Sequence, residues 1–174
     1  MKLAKRFLAL VMVLALLAAL GGAASAEEAQ YATTKAFLEE IREVPDFQCE
    51  LMGIVTAEGE NYEMVRVKYV GEVSDYESNL QLLFSEDCGE VQLYLYKLIS
   101  FQEEKLAAVL KAVNALNSLR SCVKYYVDLS DNTVTAGAFQ ILCEEDPAAL
   151  TMMALGATIG YTDSAYEMLR EYAA

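Results

Sequence analysis

Hydrophobic and polar positions follow two different periods along this chain, and each change of period marks the boundary of a predicted element. Phe37, Ile41 and Val44 share one helical face, so their spacing predicts a helix over Tyr31–Val44 that Pro45 stops. Alternation of apolar and polar residues then predicts four strands in two hairpins, over Phe47–Val55, Tyr62–Val70, Asn79–Ser85 and Glu90–Ile99.

Two further helices are predicted by helical spacing and by start signals. The first covers about Gln102–Leu119, and its inward stripe comprises Leu106, Val109, Leu110, Val113 and Leu116. The second begins where Asp146 can cap the helix N-terminus and Pro147 can occupy the first helical position. It runs to roughly Tyr172, and Gly156 and Gly160 are expected to weaken or kink it.

A third hairpin is predicted between these two helices. It has a two-residue turn at Asp131-Asn132, and its strands cover Cys122–Leu129 and Val134–Cys143. In this register Cys122 faces Ile141, and Cys143 lies one diagonal step beyond. Diagonal partners stand about 7–8 Å apart, whereas a disulfide needs a Cα separation of about 4.4–6.8 Å. We therefore expect the two thiols to lie close together without a bond.

The predicted order α-β-β-β-β-α-β-β-α indicates an α+β fold, in which an antiparallel sheet of hairpins carries helices on one face. Strand alternation places a mixed set of side chains on the opposite face. We take that face as the candidate partner-binding surface, because it holds Tyr94, Tyr96, Tyr126 and Phe139. Tyr is enriched on half-wetted surfaces, and the chain has 11 Tyr and no Trp. The alternative is that a helix covers these residues.

The first 26 residues have the layout of a secretory signal peptide. Three basic residues precede the apolar run Phe7–Leu20, which is shorter than the roughly 20 residues that span a bilayer. Two glycines end the run, and Ala24 and Ala26 match the small-residue pattern that signal peptidase recognises. We expect residues 1–26 to direct export from the cytoplasm and residues 27–174 to form one domain. The alternative is an uncleaved N-terminal anchor.

Cleavage after Ala26 is the first testable prediction, because the glycine break and the small residues provide the extended segment that the peptidase requires. The intact mass of the secreted protein should correspond to residues 27–174. A mature chain that starts anywhere before Gly21 would contradict this prediction.

The net charge of the chain limits the classes of partner that we expect it to bind. Without the three basic residues of the leader, the chain keeps 10 Lys and Arg against 26 Asp and Glu, a formal net charge of −16. Nucleic-acid binding requires clustered Lys and Arg, so we expect no nucleic-acid partner. We also expect no membrane span after cleavage. The same charge suits cationic partners, although solubility alone explains it.

Catalytic chemistry has few candidate residues here. The chain has no histidine, which removes the commonest general base and the usual transition-metal ligand. Paired acids occur at Glu86/Asp87, Glu103/Glu104 and Glu144/Glu145/Asp146, each at a turn or helix start where solvated charge explains it. The segment Asp128–Asn132 lacks the Gly and the closing Glu of a calcium loop. We therefore expect no catalytic residue, no metal site and no cofactor.

Asn117 lies at helical spacing from Leu106, Leu110 and Val113, on the predicted apolar stripe. A buried amide must find hydrogen-bond partners. We expect a structural role, in which the Asn117 side chain satisfies backbone groups near the following turn.

The segment from Glu90 to Tyr172 resembles the YbjN family, which shares the fold of type III secretion chaperones. The resemblance rests on a strand leading into a helix with Val113-Asn114-Ala115-Leu116-Asn117, a hairpin, and a long closing helix that carries Asp163-Ser164-Ala165-Tyr166. It implies a homodimer that binds a protein or peptide, with no known chemistry. A leader peptide departs from the usual family pattern, which puts the family's cytoplasmic roles in doubt.

These observations predict an exported, non-catalytic, chaperone-like or regulatory domain that binds a protein or peptide. Two alternatives belong to other classes. A hydrolase would need two carboxylates converging in a pocket. An exported inhibitor would present the acidic loop Glu144-Glu145-Asp146 to a basic enzyme.

Overall fold

The computed structural model describes residues 29–45, 47–57, 59–119, 122–142 and 146–174. Its helices are α1 (Ala32–Ile41), α2 (Leu106–Leu119) and α3 (Pro147–Leu169). Its strands are β1 (Gln48–Ala57), β2 (Glu60–Val70), β3 (Glu77–Ser85), β4 (Glu90–Ser100), β5 (Val123–Asp128) and β6 (Thr133–Ile141). Short 3₁₀ turns, Glu103–Lys105 and Arg170–Tyr172, precede α2 and follow α3. The predicted fold class and element order are confirmed.

All six strands form one antiparallel sheet in the order β1-β2-β3-β4-β6-β5, so β1 and β5 are its edges. The main core lies between one face of this sheet and the helices. Helix side chains such as Phe37, Val109 and Leu155 meet Leu82 and Leu93 from the central strands there. This arrangement leaves the opposite face of the sheet for the candidate site.

Helix α1 is held at both its face and its N-terminus. The Phe37 ring packs on Phe84 of β3 with a centroid separation of 5.5 Å. The buried carboxylate of Glu63 accepts hydrogen bonds from the backbone N–H groups of Gln30 and Tyr31, at 2.8 and 2.9 Å. These N–H groups have no intrahelical partner, and a negative charge at a helix N-terminus is favourable.

The register of the last hairpin differs from the prediction by two residues. Asp128 pairs with Thr133, so the connection is the four-residue loop Leu129–Asn132 rather than a two-residue turn. The Asp128 carboxylate accepts bonds from the Ser130 N–H and hydroxyl at 2.8 and 2.7 Å, which stabilises the longer loop. Leu129, the last residue of the predicted strand, consequently lies in this loop and is exposed. A shift of two leaves every other side chain on its predicted face.

Two details of the helices also differ from the predictions. Leu110 was predicted to face inward, but the buried residues of α2 are Val109, Val113 and Leu116, and Leu110 lies at the exposed border of that stripe. Helix α3 continues without interruption through Gly156 and Gly160. Its long buried face packs on the sheet, and tertiary packing of this kind outweighs the low helix propensity of two exposed glycines.

The predicted pairing of Cys122 with Ile141 is wrong, because the observed register places Cys122 beside Phe139. Cys143 lies outside the described residues, so its predicted proximity to Cys122 stays a prediction. Cys49, Cys88 and Cys122 are free thiols. Among the described residues, no helix is both long enough and apolar enough to cross a membrane.

Candidate functional site

The face of the sheet opposite the helices, here called the open face, has its own small apolar cluster. Its buried members come from four strands and comprise Val55, Ala57, Tyr62, Met64, Leu83 and Tyr94, with Met52 and Tyr96 packed beside them. No described helix contributes a residue to this cluster. The open face is therefore an apolar surface built by strands alone.

The four aromatic residues of the candidate surface all lie on the open face. Tyr94, Tyr126 and Phe139 line a shallow depression of about 280 Å³ together with Cys122, Lys124, Gly137 and Ala138. Tyr96 lies beside it, with its ring stacked on Tyr94 at a centroid separation of 5.6 Å and an interplanar angle of 24°. The structure thus brings the four residues together.

The aromatic side chains are more exposed on β5 and β6 than on β4. Tyr94 is buried at its floor, whereas Tyr126 is 40% exposed and Phe139 is 54% exposed. Ile141, two positions along β6 from Phe139, is 66% exposed and extends the apolar surface. Burial raises the pKa of the Tyr126 hydroxyl, which therefore stays protonated as a hydrogen-bond donor at neutral pH.

Gly137 forms the part of the floor where two tyrosine rings approach the backbone. A Cβ atom at this position would lie 3.1 Å from Cε1 of Tyr94 and 3.3 Å from Cε2 of Tyr126. Gly137 pairs directly with Tyr94 across β4 and β6. The absence of a side chain lets both rings lie close against β6, which gives the depression its shape.

An irregularity in β4 directly follows Tyr96. The β4–β6 register shifts between Leu95 and Ile99, and Lys97 inside this bulge has a φ of 55°. Bulges commonly re-aim a side chain beside a functional site. The Tyr96 hydroxyl is buried without a hydrogen-bond partner among the described residues, and burial raises its pKa. Gln81, opposite Tyr94, also has a buried side-chain oxygen with no partner in the described part of the chain.

One of the predicted acidic pairs lies in an open depression of the described structure. Glu86 and Asp87 line an open depression of about 540 Å³ at the hairpin turns, with Glu60 and Glu90. Asp87 is exposed, and hydrogen bonds from the Ser85 hydroxyl and the Gly89 N–H lower its pKa. A general acid needs a raised pKa in an apolar pocket.

The remaining acidic positions give no support to the two alternative functions. Glu103 and Glu104 are exposed on a 3₁₀ turn. Glu144 and Glu145, which the inhibitor alternative requires, lie outside the described residues. Within the ranges that the structure describes, no three Cys, Asp or Glu side chains are placed to hold a metal ion.

The residues predicted to be structural make the expected contacts. Asp146 accepts a hydrogen bond from the Ala149 N–H at 2.9 Å, and Pro147 is the first residue of α3. The Asn117 side chain bonds the backbone of Tyr125 twice. Ala24 and Ala26, the predicted cleavage residues, lie outside the described ranges.

Asp163 is a residue whose role the sequence analysis missed. It lies in α3, is 6% exposed, and accepts hydrogen bonds from the N–H groups of Val73 and Ser74 at 2.8 and 3.1 Å. The Ser74 hydroxyl donates to it as well. The available signal was a single Asp on the buried side of a helix with few charged residues. Asp163 fixes the β2–β3 connection to α3.

Comparison with known proteins gives no match to a family model, to a curated protein or to a solved structure. The resemblance to the YbjN family therefore stays a prediction from the sequence.

Proposed function

We propose that this chain is an exported, non-catalytic binding domain, chaperone-like or regulatory, that holds a protein or peptide partner on its open face. The observation that carries this proposal is the grouping of Tyr94, Tyr96, Tyr126 and Phe139 on a sheet face built without any described helix. Homodimer formation and an extracytoplasmic location belong to the same proposal.

The character of the surface supports a polypeptide partner. Half-exposed Tyr and Phe side chains provide large contact areas with few rotatable bonds, and such residues dominate protein interfaces. Single exposed apolar residues are ordinary, but Tyr126 and Phe139 line one depression, and Ile141 lies two positions along β6 from Phe139. A depression of about 280 Å³ has room for one or two side chains rather than for a drug-sized ligand.

Site-specific photo-crosslinking tests the proposal. A photo-reactive aromatic amino acid is introduced in place of Phe139 in the exported protein, and in place of Met153 in a matched variant. Met153 is 71% exposed on α3 and is also apolar, so it controls for nonspecific capture. We expect a discrete crosslinked polypeptide of defined mass from position 139 and none from position 153. Crosslinking at position 153 alone would contradict the proposal.

A further inference from the structure

Strand β5 is an edge of the sheet, and its central backbone groups are already occupied. The order of strands leaves β5 with β6 as its one strand neighbour. Tyr125, in the middle of β5, directs its N–H and C=O away from β6. The Asn117 side chain takes both: its Nδ2 donates to the Tyr125 oxygen at 2.9 Å, and its Oδ1 accepts from the Tyr125 nitrogen at 2.8 Å.

This contact reproduces the hydrogen bonds of a neighbouring strand. A carboxamide has one donor side and one acceptor side, like a peptide group, and it meets Tyr125 as a further strand would. The end of α2 is also tied to β5, because the Lys124 ammonium donates to the Asn117 carbonyl at 3.2 Å. Unoccupied edges invite pairing with another chain, and proteins block them by covering or distorting the edge.

The other edge is protected in a different way. Strand β1 carries a bulge between Leu51 and Gly53, and Gly53 has a φ of 89°. A bulge interrupts the row of edge groups and twists the strand. Strand β5 has no register shift against β6, and its centre is covered from outside the strand by the Asn117 side chain.

We propose that the Asn117 side chain blocks strand pairing at the β5 edge. It thereby prevents β5 of a second copy of this chain from adding to the sheet. The occupant is a second copy because two identical edges would pair antiparallel about a twofold axis, with Tyr125 near the centre. The proposal does not depend on the function of the open face.

The Asn117→Ala variant tests whether Asn117 blocks the β5 edge, and two variants in the same helix serve as matched controls. Asn114→Ala removes an exposed asparagine, and Val113→Ala weakens the core but leaves the Asn117 side chain in place. For each purified protein, mass is measured by light scattering over a hundredfold range of concentration, and exchange of the Tyr125 amide by NMR in dilute solution.

In Asn117→Ala, we expect the Tyr125 amide to exchange at least about 10-fold faster, and we expect species larger than those of the wild type at the same concentration to form as concentration rises. Asn114→Ala should match the wild type, and Val113→Ala should keep the association state of the wild type although it unfolds more easily. If Asn117→Ala does not fold, Asn117→Asp is used, which loses the donor to Tyr125 and should associate as well. Association no greater than in Val113→Ala, or unchanged exchange of Tyr125 in Asn117→Ala, would overturn the proposal.

Discussion

Replacement of Asp163 by alanine is expected to lower the free energy of unfolding by about 3 kcal/mol, because it removes the buried carboxylate that accepts three hydrogen bonds. The N–H groups of Val73 and Ser74 and the Ser74 hydroxyl all donate to this carboxylate. A Cβ atom at Gly71 would overlap it, so the loop backbone fits closely around the side chain. Chemical denaturation measures the effect, and Glu104→Ala controls for the loss of one exposed negative charge. A loss no larger than that of Glu104→Ala would contradict the expected role.

The same residue predicts a pH dependence of stability. Burial opposes the charge of Asp163, but hydrogen bonds from Ser74 and the backbone of Val73 outweigh burial and lower its pKa. A carboxylate with a lowered folded pKa contributes its full stability above the unfolded pKa of about 3.9, and loses it as pH falls through the folded value. We expect the wild type to lose more stability than Asp163→Asn between pH 5 and pH 2, in thermal unfolding scans. Parallel curves would contradict this.

The second large effect is expected on partner binding. Alanine at both Tyr126 and Phe139 should weaken binding by at least about 30-fold, since the loss of one aromatic anchor of an interface costs about 2 kcal/mol or more and losses at neighbouring anchors do not add fully. Both side chains are at least 40% exposed, so the fold should lose little stability. The partner identified by crosslinking is titrated into the wild type, the double variant and Met153→Ala by calorimetry. Equal affinity for the wild type and the double variant would contradict a role for the open face.

The face of each strand residue could be predicted from the sequence even where the register could not. The predicted two-residue turn at Asp131-Asn132 is a four-residue loop, which shifts the pairing register by two residues, but strand alternation has a period of two. Tyr126 and Phe139 therefore came to the predicted face despite the error. The side-chain hydrogen bonds of Asp128 favour the four-residue loop over the two-residue turn. The pattern of apolar and polar residues does not distinguish these two connections.

Contacts between distant segments set the limit of the sequence analysis. Asp163 was visible only as part of the segment Asp163-Ser164-Ala165-Tyr166 of the last helix, because its partners in the β2–β3 connection are 89 and 90 residues away. Helical spacing also does not fix the edge of the buried face of α2 to within one residue. Leu110, which borders that face, was therefore predicted to point inward. Neither the bulge at Lys97 nor the close approach of Tyr94 to Gly137 leaves a periodic signal.

Side-chain footprinting of the complex tests the proposed role of the open face most directly. Hydroxyl radicals oxidise exposed side chains, and mass spectrometry compares each residue in the free protein and in the complex with the crosslinked partner. We expect oxidation of Tyr126 and Phe139 to fall on binding, while Met153 and Met168, both exposed on α3, stay as reactive as before. Protection of Met153 and Met168 with unchanged oxidation of Tyr126 and Phe139 would place the partner on the helices and contradict the proposed function.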